Sequence, residues 1–265
     1  MPHLIAFTAF SQRGTGKPHN EDAVLLDGEV HQGRVRQHGE VDATSQPRYF
    51  AVADGVSSGT LPRTGSRCLL ELLQTRLATA PANASLSALL HQVQQDYVGL
   101  SANAELVGMA STLVGVRLIG NVATIFNVGD SRAYLLTGRA DRAQAQLLSR
   151  DHSLLNDMLM AGEITPEQAK HAASITRGLS CQFIVDAEFD EFQVHIATHA
   201  LQPGERLLLC SDGLNEVLSD VEMATLLSGN SAEDLRNACK AARRAGGTDD
   251  FSVIVLTLRL SIDTA

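Results

Sequence analysis

Seven acidic residues fall in five short motifs spread along the chain: Asn20-Glu21-Asp22, Asp54-Gly55, Gly129-Asp130-Ser131-Arg132, Ser211-Asp212-Gly213 and Thr248-Asp249-Asp250. Each motif reads as the end of a short apolar strand, so turns at one edge of a sheet could gather all five. Carboxylates gathered in this way repel one another unless cations neutralise them. Oxygen-only ligands suit magnesium or manganese, whereas zinc would be expected to draw on His or Cys. Taken singly, Asp54-Gly55 or Asp212-Gly213 is more often a turn than a ligand. Their context changes that weight. VADG and CSDG both place an Asp directly after a buried-looking strand, where Asp-Gly lets a carboxylate and a close-approaching carbonyl face one ion. The pattern is that of an enzyme built around hard divalent ions.

The elements that must position these residues follow from periodicity. Short apolar runs over 4–10, 23–26 and 49–53 predict three opening strands. The polar stretch 27–47 reads as a long hairpin excursion on the surface. Leucines at three- and four-residue spacing predict amphipathic helices over 64–78 and 85–102. Alternation on either side of Gly120-Asn121 predicts a tight hairpin, 111–119 with 122–128, and 133–136 continues the sheet. Between 151 and 180 the pattern changes to short helices, with a capping box at Thr165-Pro166-Glu167-Gln168. A strand over 206–210, helices around 221–227 and 232–244, and a strand over 251–258 close the chain. Strands and helices come in separate groups and several strands are apolar on both faces. The expectation is therefore α+β: two mainly antiparallel sheets packed together, flanked by helix pairs.

Size and charge narrow the function. A chain of 265 residues, 44% hydrophobic, can bury one substantial core, so a single domain over 1–265 is expected. Its formal charge of -9 argues against a nucleic-acid partner. No apolar run approaches the ~20 residues that span a bilayer, so membrane insertion is not expected. The start MPHLIAFTAF has neither a basic leader nor a long apolar stretch, and the four cysteines lack CxxC spacing. A reduced, cytoplasmic protein is the expectation. The segment Gly14-Thr15-Gly16-Lys17 suggests a nucleotide loop, yet the first Gly of that spacing is missing and Pro18 opposes a helix there.

Together, KPHNED, YFAVADG, NVGDSRAYL, LLLCSDGL and GGTDDFSVIV resemble the metal-dependent type 2C protein phosphatases, in the right order from about residue 10 to 258. The resemblance implies an αββα sandwich whose cleft holds two magnesium or manganese ions, sometimes three. It implies that Asp54 bridges the two main ions, that the Gly55 carbonyl holds one, and that Asp212 and Asp249 hold the other. Glu21 and Asp22 would act at the rim through bound waters, and Asp130 with Asp212 is the candidate for a third ion. The segment 151–180 resembles the helical flap that helps such enzymes choose substrates. The implied activity is hydrolysis of phosphoserine and phosphothreonine on proteins, opposing a Ser/Thr kinase, with a metal-bridging water as the nucleophile. No cysteine is followed six positions later by Arg, as a cysteine phosphatase would need.

Three departures from the family pattern stand out. Lys17 replaces the usual phosphate-gripping Arg, so a point charge replaces a bidentate fork. Val56-Ser57-Ser58-Gly59 lacks the His expected as proton donor, and His19 becomes the candidate for that role. His152 is the second candidate, and either histidine has the alternative role of orienting its neighbours. Asp250 replaces the usual Asn and is expected to face solvent rather than metal. The competing reading is a pseudophosphatase that binds phosphoproteins without turnover.

Overall fold

Alternation of side chains decides the layers. In the run Arg206–Cys210, Leu207 and Leu209 join one apolar cluster while Leu208 and Cys210 join another; in Arg48–Asp54, Phe50 and Val52 part from Ala51 and Ala53 in the same way. A strand buried on both faces needs a layer on each side. The computed structural model, which describes residues 3–139, 142–169, 178–189, 192–229 and 231–260, has that construction.

In chain order the elements are β1 (His3–Gln12), β2 (Asp22–Leu26), β3 (Glu29–Gln32), β4 (Val35–Asp42), β5 (Arg48–Asp54), α1 (Pro62–Thr79), α2 (Leu86–Gly99), β6 (Ala110–Ser111), β7 (Leu113–Ile119), β8 (Val122–Val128), β9 (Arg132–Thr137) and β10 (Gln144–Leu147). They continue with α3 (Leu154–Met160), α4 (Pro166–Ala169), β11 (Phe183–Ile184), β12 (His195–Ala200), β13 (Arg206–Cys210), α5 (Asp212–Asn215), α6 (Asp220–Leu226), α7 (Ala232–Arg244) and β14 (Phe251–Leu260). Two six-stranded antiparallel sheets, β10-β9-β13-β14-β1-β4 and β12-β8-β7-β5-β2-β3, face each other across a core that includes Ile5, Val24, Phe50, Val116, Leu209 and Ile254. Outside, α1 and α2 cover β2, β5 and β7 through Leu69, Leu73, Leu90 and Tyr97. On the opposite face α5, α6 and α7 cover β13 and β14 through Leu214, Met223, Leu235 and Ala238. Each fully buried Leu or Phe contributes roughly 1.5–3 kcal/mol. The α+β sandwich is as expected.

The stretch 27–47 corrects the expectation. It is no surface excursion: β3 pairs with β2 in one sheet, and β4 pairs with β1 in the other, from Leu4 opposite Asp42 to Ser11 opposite Val35. Both are edge strands with a solvated face, which keeps their side chains polar and hides the strand pattern. The edge strand β12 escaped notice for the same reason. Of the expected flap, α3 and α4 form as short helices, while residues 170–177 lie outside the described residues.

Candidate metal centre

Antiparallel pairing carries the five motifs to one end of the sandwich. Asp22 begins β2 and Asp54 ends β5, and the two are opposite one another in the register. Asp130 follows β8, which pairs through β7 with β5, so it emerges at that same end. In the facing sheet, Asp212 follows the end of β13 and Asp249 precedes the start of its neighbour β14. Two of the five motifs therefore open strands instead of closing them, and reversal of direction between neighbours brings starts and ends together.

Local packing locks the motifs to each other. The Glu21 carbonyl accepts from Gly55 N at 3.2 Å and from the Ser66 hydroxyl, which ties the first motif to the second. A Cβ on Gly55 would collide with the Pro62 carbonyl, and one on Gly213 with the Asp250 carbonyl. Only glycine permits either approach. The Glu21 carboxylate accepts from Ser57 Oγ at 2.8 Å and pairs with Lys17 Nζ at 2.8 Å. Lys17 also pairs with Asp249, and with Asp250 at 3.5 Å. Burial opposes the charge of Lys17, but Asp249 and Glu21 outweigh it and hold the ammonium well above its ordinary range.

The carboxylates themselves are strained electrostatically. Burial and then Asp250 raise Asp22 to about 7; burial and then Asp212 raise Asp130 to about 7; burial, then Asp249 and Glu216, raise Asp212 to about 6. Asp54 is pushed well above the usual carboxylate range by burial and by Asp22, Asp212 and Asp249. Two buried oxygens, Asp22 Oδ1 and Asp212 Oδ1, have no hydrogen-bond partner among the described residues. A buried carboxylate oxygen left without a donor is costly. Among the described residues, no three Asp, Glu, His or Cys side chains are placed, as they stand, to hold an ion; Lys17 pairs with Glu21 and Asp249 and supplies the positive charge there. Orphaned oxygens, mutual repulsion and an oxygen-only donor set fit hard divalent cations.

Three site expectations need correction. Asp22 is fully buried, not at a rim; its Oδ2 accepts from Ser211 Oγ at 2.8 Å, so it lies on the floor of the site. Asp250 does not face solvent: it is 0% exposed and accepts from Gly14 N at 2.6 Å and Glu21 N at 2.7 Å, fastening the loop before β2 to the start of β14. Two backbone donors and Lys17 give an Asp here a use that an Asn, with one acceptor oxygen, could not fill. His19 is exposed and lines a neighbouring groove with arginines, and among the described hydrogen bonds and ion pairs it makes none with the cluster.

His152 has a positioning role. It is 3% exposed, its Nδ1 accepts from Gly129 N at 3.0 Å, and its backbone N donates to Gly129 O at 2.9 Å. Burial, helped by the Arg150 charge, lowers its pKa and keeps the ring neutral, as an accepting nitrogen requires. It holds the turn that presents Asp130. The sequence reading missed the support beneath the carboxylates: Ser211 Oγ also accepts from Ser252 N at 3.1 Å, Ser252 Oγ meets Ser11 Oγ at 2.7 Å, and Asn20 Nδ2 donates to Ser11 Oγ at 2.7 Å. The available signal was a serine beside an apolar strand run, as in FSVIV. Arg132 forks onto Asp151 at 2.8 and 2.5 Å, which joins the third motif to the segment leading into α3. Asp151, Ser153 and Leu155 then share a cavity of about 220 Å³ with Asp130, Asp212 and Glu216.

Known proteins share this architecture. Residues 27–246 match the family described as Protein phosphatase 2C. The protein phosphatase PhpP of Streptococcus pneumoniae is 33% identical over 153 residues, a match spanning 57% of this chain and 59% of that protein's length. The serine/threonine phosphatase stp of Listeria monocytogenes serovar 1/2a is 32% identical over 244 residues, covering 84% of this chain and 92% of that protein. The crystal structure of the catalytic domain of the serine/threonine protein phosphatase PstP in complex with two manganese ions is similar with a TM-score of 0.72 at 25% identity, covering 96% of this chain and 99% of that one. With one family matched across most of its length and its five acidic motifs gathered at one end of an αββα sandwich, the chain belongs to the protein phosphatase 2C family.

Proposed function

We propose that this chain is a metal-dependent protein phosphatase that removes phosphate from phosphoserine and phosphothreonine on proteins, opposing a Ser/Thr kinase in the cytoplasm. The observation that carries the reading is the pair of orphaned, buried carboxylate oxygens on Asp22 and Asp212, among acids held at raised pKa values. Asp54, the Gly55 carbonyl, Asp212 and Asp249 would hold two manganese or magnesium ions, with Asp130 and Asp212 available to a third; manganese in the PstP structure supports the choice of metal. Glu21 and Asp22 would hold waters in the outer shell. Bound ions of this kind supply a nucleophile from water at neutral pH and polarise phosphoryl oxygens. Lys17, whose ammonium pairs with Glu21 and Asp249, would donate to a phosphoryl oxygen. Ser211, Ser252 and Asn20 hold the floor rigid beneath it, which limits reorganisation during the reaction. A phosphoprotein-binding role without turnover gains nothing from so many buried acids, whose burial costs stability. Among the described residues no helix is long and apolar enough to cross a membrane.

Purified protein with para-nitrophenyl phosphate tests the reading. Turnover is expected with manganese or magnesium, to vanish with excess chelator and to return when metal is restored. Full activity in chelator would overturn it.

The segment around α3 should select protein substrates without performing chemistry. It adjoins the carboxylates through Asp151, Ser153 and Leu155, and it leaves Leu154 48% and Met160 68% exposed. Replacing Met158, Leu159 and Met160 by polar residues should reduce phosphopeptide turnover more than para-nitrophenyl phosphate turnover. Equal losses on both substrates would assign the segment a structural role.

A further inference from the structure

Beside the carboxylate cluster, across the loop from Arg13 to Asn20, lies a groove of about 480 Å³ that carries the opposite charge. Arg13, Arg34, Arg63 and Arg243 line it together with His19 and Asn20, and among the described residues no acidic one does. In a chain of net charge -9, four guanidiniums around one groove form a local reversal of potential. They come from four separate places: the end of β1, the turn between β3 and β4, the first turn of α1 and the last turn of α7. The fold, not a run of basic sequence, assembles them.

Two of the four are fixed in place. Arg13 Nη1 donates to the carbonyl of Lys17 at 2.6 Å and to that of Pro18 at 3.2 Å, closing the loop onto itself. Arg243 Nη2 donates to the Arg13 carbonyl at 2.8 Å. The guanidiniums of Arg34 and Arg63 make no hydrogen bond or ion pair among the described residues, so ten N–H donors there remain to be satisfied by solvent or a ligand. Guanidinium forks match the oxygens of phosphate, and a phosphate monoester near -2 can engage several forks where a carboxylate engages one.

We propose that this groove is a second phosphate-binding site, which takes a further phosphorylated residue of the same substrate while the carboxylate centre works on the first. The inference rests on the phosphatase reading and deepens it: the preferred substrate is a segment carrying two phosphates. Contiguity carries the link between the sites, since the loop that bears Lys17 is the wall of the groove, and Asn20 lines the groove while its neighbour Glu21 joins the cluster. A nucleic acid is a poorer fit, because the charge outside the groove repels an extended polyanion.

The test compares manganese-loaded wild type with Arg34→Ser/Arg63→Ser on phosphoserine peptides in which a second phosphoserine is walked along both sides of the first. Twins carry Ala or Glu at the second position. At the best spacing the doubly phosphorylated peptide should show KM lower by about tenfold for wild type, the size expected of a few charge-assisted hydrogen bonds, and the variant should lose that advantage. Para-nitrophenyl phosphate turnover should be the same in both proteins. Titration of the same peptides into chelator-treated protein should show the same preference as binding heat. Should para-nitrophenyl phosphate be hydrolysed while no spacing gives an advantage, the groove assignment falls and the phosphatase reading stands. If para-nitrophenyl phosphate is not hydrolysed, the phosphatase reading falls, and the binding titration alone then decides the groove. A Glu twin as good as the phosphorylated peptide, or an oligonucleotide that binds as tightly, would also overturn it.

Discussion

Asp54→Asn is expected to abolish turnover with an intact fold. Asp54 lies opposite Asp22 in the pairing of β2 with β5, and burial, then Asp22, Asp212 and Asp249, all raise its pKa, so it sits among the acids of both sheets. An amide keeps the shape but presents one acceptor oxygen and no charge. The interactions at stake amount to several kcal/mol of transition-state stabilisation, and each 1.36 kcal/mol is tenfold, so the loss in kcat should be on the order of 10³-fold or more. Asp249→Asn should behave alike, because Asp249 holds Lys17 and contributes to the same group of acids. Steady-state kinetics on para-nitrophenyl phosphate, beside circular dichroism to confirm folding, measure this. Retention of more than a tenth of wild-type activity by either variant would remove that Asp from the metal-holding set.

The second large effect is on stability, and its sign depends on pH. Asp22 rises from an ordinary value of 3.8 to about 7, driven by burial and then Asp250, and Asp212 to about 6, driven by burial and then Asp249. In the metal-free protein these groups hold protons that the unfolded chain has already released. Their contribution is fully present below about pH 3.8 and is lost as pH rises through about 6 to 7. Metal reverses the dependence, because it binds the ionised groups and displaces those protons. In chelator, the melting temperature should therefore fall from about pH 4 to about pH 7 and level off above, and the increase produced by manganese should grow over the same range. Saturating metal at a hundred times its dissociation constant adds about 2.7 kcal/mol. Asp22→Asn should flatten the fall in chelator by replacing a titrating acid with a neutral amide. A metal-induced increase that is constant with pH, or no increase at all, would mean that these carboxylates do not receive the ion.

The five acidic motifs, the two amphipathic helices and the two-faced strands were legible in the sequence, because local spacing alone encodes them. A strand such as Arg206–Cys210 has to be buried on both sides, and only stacked sheets with outer helices supply both. The candidate oxygen donors were legible too, since an oxygen-only donor set depends on residue type more than on contacts. What remained hidden was whatever depends on residues distant in sequence. Edge strands β4 and β12 carry polar side chains on a solvated face, and their partners β1 and β8 identify them only in three dimensions. Asp22 and Asp250 read as rim and surface groups because no local rule says that segments 189 to 236 positions away will cover them; the hydroxyl of Ser211 and the backbone of Gly14 and Glu21 do so. His19 and His152 look equivalent in sequence, yet one lies exposed among arginines and the other is buried against Gly129. Sequence by itself determined which acidic motifs the chain carries and the layers that hold them. Tertiary structure alone decided which acids are buried, which loop Asp250 fastens and where four scattered arginines meet, since burial and electrostatic proximity are properties of the assembled fold.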